Sequence, residues 1–312
     1  MSGVSSRALH SDGLQQTFCD YLELCKPKVV LLLILTSLIG MYMSVPGGVD
    51  WHIVIFGNLG IALCAGSAAA INHVVDNRID AMMARTHKRP VVNGRISTVN
   101  AIIFSVLIGT LGLLLLVTFT NTLTAVLTFA SLIGYAVIYT MFLKHATPQN
   151  IVIGGLAGAS PPLLGWVAVT GSVDPHSLLL MLIIFAWTPP HFWALAIARI
   201  DDYAKADVPM LPVTHGIPYT RLSVLLYTVV LFVVSVLPFL TGLNGPLYLL
   251  AALILGGIFL YYAIALFCSQ DRKIPMATFR YSIVYLMLLF IFMLIDHQIF
   301  PVGVDYRLVF GG

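Results

Sequence analysis

Charge is scarce in this chain. Asp, Glu, Lys and Arg make up only 9% of its 312 residues, and 59% are hydrophobic. A soluble domain carries roughly 25% charged residues, so the composition excludes one and points to a polytopic membrane protein. The acids are also missing from the middles of the apolar runs. All 13, namely Asp12, Asp20, Glu23, Asp50, Asp76, Asp80, Asp174, Asp201, Asp202, Asp207, Asp271, Asp296 and Asp305, fall in tails, loops or span ends. A proton- or sodium-coupled carrier generally needs a carboxylate or a broken helix near the midplane, so their absence argues against that class. The four cysteines, Cys19, Cys25, Cys64 and Cys268, form no CxxC or Cys/His cluster, which argues against disulfides and zinc.

Long apolar runs take the place of charge. Nine stretches approach the roughly 20 residues that a bilayer-crossing helix needs. They fall near 29–45, 53–72, 99–119, 123–143, 150–170, 177–198, 222–242, 247–268 and 279–300. The predicted fold is therefore all-α: a bundle of nine transmembrane helices with two acidic cytoplasmic loops. It divides into a cytoplasmic N-terminal tail (1–28), one membrane domain (29–300) and a short periplasmic C-terminal tail (301–312).

The bases set the orientation. With the N-terminus inside, 15 of the 16 Lys and Arg residues lie in the tail or in loops on the same side, and only Arg307 falls outside. The positive-inside rule then places the N-terminus in the cytoplasm and the C-terminus in the periplasm. The net charge of +3 is thus a topology signal, and no nucleic-acid partner is expected. Residues 1–28 contain Asp12, Asp20 and Glu23 and no apolar stretch with a cleavage site. They read as neither a secretory signal nor a transit peptide, so a bacterial cytoplasmic membrane is expected.

Two inner loops hold most of the polar chemistry. The first, "NHVVDNRIDAMMARTHKRP" (72–90), closes the second span. Asn72, Asp76 and Asp80 are spaced i, i+4, i+8, which on a helix stacks three oxygen-bearing side chains along one face. Such a stripe suits a hard divalent cation, and magnesium in particular favours a few carboxylates together with water and substrate phosphate. The following Arg85, Lys88 and Arg89 suit those phosphates. A plainer reading makes the arginines topology determinants and the aspartates their counter-charges. The fixed spacing and the second acidic loop, "ARIDDYAKADVPMLPV" (198–213), favour the metal–diphosphate reading. The two loops lie four spans apart and so emerge on the same side, as a degenerate parallel repeat would place them.

The first stretch resembles the NxxxDxxxDxxMxRTxxRP signature of the UbiA-type intramembrane prenyltransferases. "TPQNIVIGGLAGASPPLLGW" (147–166), "WTPPHFWALAI" (187–197) and "DYAKADVPMLPV" (202–213) are similar to the haem-farnesylating branch of that superfamily. The likeness runs from "LCKPKVVLLL" to the last span. Many superfamily members carry DxxxD in the second loop; here Lys205 and Ala206 stand four positions after Asp201 and Asp202. Asp202 and Lys205 are therefore the favoured site residues there. The loop either carries magnesium itself or binds phosphate through Lys205, with Asp202 orienting water or the lysine.

The resemblance implies farnesyl diphosphate as donor, haem B as acceptor and substrate, magnesium as cofactor and haem O as product. It assigns Asp76 and Asp80 to the metal, with Asn72 beside them and Asp202 opposite. Arg85, Arg89, Lys205 and, more weakly, Lys144 are assigned to the diphosphate. Tyr135 and Tyr139 on the fourth span either wall off the allylic cation or simply pack the interior. His191, just after Pro189 and Pro190, either ligates haem iron or bonds a carbonyl freed by the prolines. A haem A synthase or terminal-oxidase assembly proteins are the partners the resemblance suggests. The rival readings are prenyl transfer to another aromatic acceptor, such as a quinone precursor, and a non-catalytic haem transporter or chaperone.

Overall fold

A computed structural model describes residues 15–83, 86–206 and 208–300, and every regular element among them is helical. Among the described residues, eight helices are long and apolar enough to cross a bilayer. They are span 2 (Ile53–Val75), span 3 (Thr98–Phe119), span 4 (Thr122–Leu143), span 5 (Asn150–Thr170), span 6 (Pro175–Ala198), span 7 (Gly216–Leu240), span 8 (Pro246–Cys268) and span 9 (Ile274–Ile299). Span 1, Pro27–Met43, has 17 residues and follows the helix Gln15–Leu24 at an angle of 55°. The helices of spans 7 and 9 begin about five residues earlier than the apolar runs predict. Hydropathy ends where the hydrocarbon ends, whereas the helix continues because its backbone bonds are made internally.

The bend before span 1 has a local cause. Pro27 cannot donate a backbone hydrogen bond and disfavours the right-handed region for the residue before it. Lys26 sits at φ +50°, the one positive φ outside glycine among the described residues. Such a backbone costs about 1–3 kcal/mol and persists only where its surroundings hold it. Here Arg95, from the loop before span 3, holds the preceding helix through Asp20 (3.1 Å) and Glu23 (3.7 Å). Leu24 packs into a small cluster with Ala70, Val91, Ile96 and Ala101.

Spans 5 and 6 form the middle of the bundle, with two thirds of their central residues buried, whereas spans 3 and 4 bury about a fifth and face outward. Spans 1 and 5 touch backbone to backbone. A Cβ on Gly165 would lie 2.0 Å from the Ser37 carbonyl oxygen, and one on Gly40 would lie 2.1 Å from that of Pro162. Only small residues permit such an approach between membrane helices. Trp187, Ile183, Tyr248, Phe259, Tyr285 and Phe290 fill the main core between spans 6, 8 and 9. At the end away from the basic loops, buried Asp296 caps span 8 by accepting from the backbone N–H groups of Gly245 and Tyr248. That acid is thereby accounted for as a helix cap.

Candidate active site

The polar stripe forms at the basic end of span 2. The span closes at Val75, but Asp76 N–H still donates to Asn72 O (2.9 Å) and Asp80 N–H to Asp76 O (2.8 Å). Helical register therefore survives into the short helix Asn77–Met82, and the three side chains stay on one face. All three are buried, Asn72 at 4%, Asp76 at 3% and Asp80 at 3% exposure. A buried carboxylate is tolerated only when paired, and each has its cation. Lys144 Nζ lies 2.7 Å from Asp76 Oδ1, and the Arg89 guanidinium donates to Asp80 Oδ2.

Asn72 joins these pairs into one network. Its Nδ2 donates to Asp76 Oδ2 (2.6 Å) and, at 3.4 Å, to Thr140 Oγ1, while its Oδ1 accepts from Lys26 Nζ. Thr86 Oγ1 donates to the Asp80 carbonyl (3.1 Å) and ties the loop back on itself. Lys26 lies outside the spans. Burial first, and then the neighbouring Arg89, bring its ammonium pKa down to about 7, against the opposing pull of Asp76 and Asp80.

Span 4 reaches this cluster through an irregularity. Its last ten residues, Gly134–Leu143, are wound as a wide π-type helix, in which Thr140 Oγ1 donates to Tyr135 O (2.8 Å). Such segments concentrate at functional sites because they re-aim side chains. Here the winding accompanies Thr140 facing Asn72 and Lys144 facing Asp76. Tyr135 and Tyr139 stack with centroids 5.5 Å apart. Tyr139 lies so close over span 5 that a Cβ on Gly154 would be 2.1 Å from its ring.

The second loop arrives by apolar contact. Ile79 and Met83 from the first loop cluster with Ala206, Val208 and Met210 from the second, and with Trp193 of span 6. Asp202, on the short helix Ile200–Lys205, pairs with Arg199 at 3.7 Å; no hydrogen bond or ion pair links it to Asp76 or Asp80 among the described residues. Asp201 and Lys205 are exposed. Arg85 and Asp207 lie outside the described residues.

His191 is buried in span 6, stacked between Trp187 (4.1 Å) and Phe279 (4.6 Å). Its partner is the Ser282 hydroxyl on span 9, at 2.6 Å from Nδ1, and not a carbonyl freed by the prolines. Ser282 Oγ also lies 2.6 Å from Phe279 O; with its one proton given to that carbonyl, the hydroxyl would accept from His191 Nδ1–H. Nε2 then keeps its lone pair.

The donor set suits magnesium shared with a phosphate. Lys144 is close to Asp76 Oδ1 but makes no directed hydrogen bond to it, so this buried, charged oxygen still has free lone pairs. Two carboxylates and an amide are few ligands; no group of three or more His, Cys, Asp or Glu poised for a metal occurs among the described residues. Magnesium completes such a set with water and phosphate oxygens. Sequence reasoning had read Lys26 only as a topology charge and missed Thr140, Thr86 and Ser282. The "KP" pair of "LCKPKV" was the one local sign of a bend that could aim a lysine inward.

A bundle of membrane-crossing helices with a buried carboxylate–base cluster at one end is the architecture of an intramembrane prenyltransferase. Residues 33–294 match the UbiA prenyltransferase family, and the chain belongs to it. The chain is 62% identical to the protoheme IX farnesyltransferase of Stutzerimonas stutzeri over 291 residues, covering 93% of this chain and 97% of that protein. It is 62% identical over 285 residues to the protein of the same name from Teredinibacter turnerae, covering 91% and 92%. Among solved structures, a digeranylgeranylglyceryl phosphate synthase superposes with a TM-score of 0.77 at 19% identity, covering 91% of this chain and 99% of that one. A UbiA homologue from Archaeoglobus fulgidus bound to GPP and Mg2+ gives 0.62 at 15% identity, covering 88% and 99%. These structures share the fold.

Proposed function

We propose that this protein transfers the farnesyl group of farnesyl diphosphate to a vinyl group of haem B, with addition of water, to give haem O. The observation that carries the substrate pair is the 62% identity, over nearly the whole chain, to proteins named protoheme IX farnesyltransferase. The buried network around Asn72, Asp76 and Asp80 supports the chemistry.

The physical problem is to break a carbon–oxygen bond to diphosphate at a membrane surface. Asp76 Oδ1 and Asp80, with Asn72 beside them, would hold magnesium, which supplies Lewis-acid withdrawal of charge from the leaving diphosphate. Lys144 and Arg89 neutralise those same carboxylates without ligand. These bases and Lys26 would bind the diphosphate oxygens and stabilise the charge that builds there. Lys205 and Arg85 would bind the diphosphate from the two loops, with Asp202 carrying magnesium or orienting the lysine.

As the bond breaks, the electron pair leaves with diphosphate and the farnesyl C1 becomes an allylic cation. The vinyl terminal carbon attacks it, and water captures the resulting cation beside the porphyrin and releases a proton. Tyr135 and Tyr139 face that cation with π-electrons, and the apolar walls of spans 4 and 5 exclude water until attack. His191 presents Nε2 to the haem iron, its tautomer set by Ser282. The membrane is the bacterial cytoplasmic membrane, with the basic end inside.

The deciding experiment incubates the protein in vesicles with farnesyl diphosphate, haem B and magnesium, and analyses the products. Farnesylated haem O is the expected product. Transfer only to a hydroxybenzoate or naphthoate acceptor would replace haem as the substrate, and absence of turnover with intact binding of haem would point to a carrier.

A further inference from the structure

His73 stands beside Asn72 on span 2 and has no part in the network described above. Its side chain is buried, with 2% of the residue exposed, and neither Nδ1 nor Nε2 finds a hydrogen-bond partner among the described residues. Buried polar groups are almost always satisfied, and an orphan marks either a cost to the fold or a missing ligand. Two orphans on one ring, next to the residue that links Lys26 to Asp76, favour a missing ligand.

The surroundings specify its sign. Arg89 and Lys26, cations of the adjoining network, are near enough for their charge to act on the ring. Both cations are held at present by oxygens of the protein, Asp80 Oδ2 and Asn72 Oδ1. A metal on an imidazole lone pair would sit against those two positive charges. An anion would be drawn to them, and in either tautomer the ring has one N–H to donate.

We infer that His73 is a diphosphate-binding residue, donating a ring N–H to the same anion that Lys26 and Arg89 grip. The inference rests on the reading of this cluster as a diphosphate site. The imidazole adds a directed donor from span 2 itself, where the bases supply charge from the N-terminal bend and the loop. Its orphaned state without ligand is a stability cost retained for binding, as at other functional sites.

The test compares the full-length protein with His73→Leu and His73→Gln in nanodiscs, with two readouts: the thermal unfolding midpoint and the affinity for inorganic pyrophosphate with magnesium. His73→Leu is expected to raise the midpoint, because it removes two unsatisfied polar atoms, and to weaken pyrophosphate binding by about tenfold or more. His73→Gln keeps an N–H and recovers part of the affinity. Pyrophosphate binding by His73→Leu within about twofold of the parent would overturn the assignment, as would a lowered midpoint with unchanged affinity. A parent that binds no pyrophosphate with magnesium would sink the diphosphate reading of the whole cluster and this assignment with it.

Discussion

Replacing Asp76 by asparagine separates chemistry from packing. The amide has nearly the same shape and can still accept from Asn72 Nδ2, which lies 2.6 Å away in the parent. The charge is lost, and with it the partner of Lys144 at 2.7 Å. Stranding a fully buried cation costs about 3–5 kcal/mol. The Lys144 side chain is 16% exposed and so keeps some access to water; a loss of about 2 kcal/mol is the better figure. The catalytic loss is separate. Removing one electrostatic group aimed at developing charge costs about 3 kcal/mol, or roughly two orders of magnitude in rate. The assay is turnover of farnesyl diphosphate and haem B with magnesium, run beside thermal unfolding. The double variant Asp76→Asn/Lys144→Met removes the stranded cation, so stability should largely return while turnover stays down. Restored turnover in the double variant, or more than about a tenth of parental turnover in Asp76→Asn, would refute the metal role.

Three further perturbations probe the rest of the site. Lys26 has its folded-state pKa lowered from 10.5 to about 7, so the folded protein resists its charge: the penalty is full below about 7 and fades as pH rises from there toward 10.5. Thermal stability of the parent relative to Lys26→Met should therefore rise with pH above 7, while KM for farnesyl diphosphate climbs about tenfold between pH 7 and 9 as the ammonium is lost. Lys26→Arg should flatten that KM profile. Gly154→Ala drives a methyl toward the Tyr139 ring, 2.1 Å from the ideal Cβ; about 1–3 kcal/mol of destabilisation and a fall in kcat are expected, read by unfolding and turnover. Ser282→Ala frees the tautomer of His191, and weaker haem binding by about tenfold with a changed absorbance spectrum is expected from a haem titration.

Much of the architecture was legible because its signals are local. Among the described residues, apolar runs of membrane length located the eight helices long enough to cross a bilayer and the shorter, bent first one, and only their ends moved, where helix outlasts hydrocarbon. The spacing of Asn72, Asp76 and Asp80 indicated one face because helical period is a property of neighbouring residues, and register does persist past the end of the span. The separation of basic from apolar segments likewise needed no folded chain.

What only tertiary structure decided lies across long sequence separations. Lys26 meets Asn72 across 46 residues, Thr140 meets Asn72 across 68, and Ser282 meets His191 across 91. No periodicity encodes such meetings; they follow from a proline bend, a π-wound segment and the packing of span 9 on span 6. The two polar loops are joined through Ile79, Met83, Val208 and Met210, whose side chains look ordinary in sequence. Local spacing thus named the carboxylates and supplied Arg89 to Asp80 from the same loop, while the close approach of a distant helix chose Lys144 for Asp76, because a charge in a low-dielectric interior must find its partner wherever the fold supplies one.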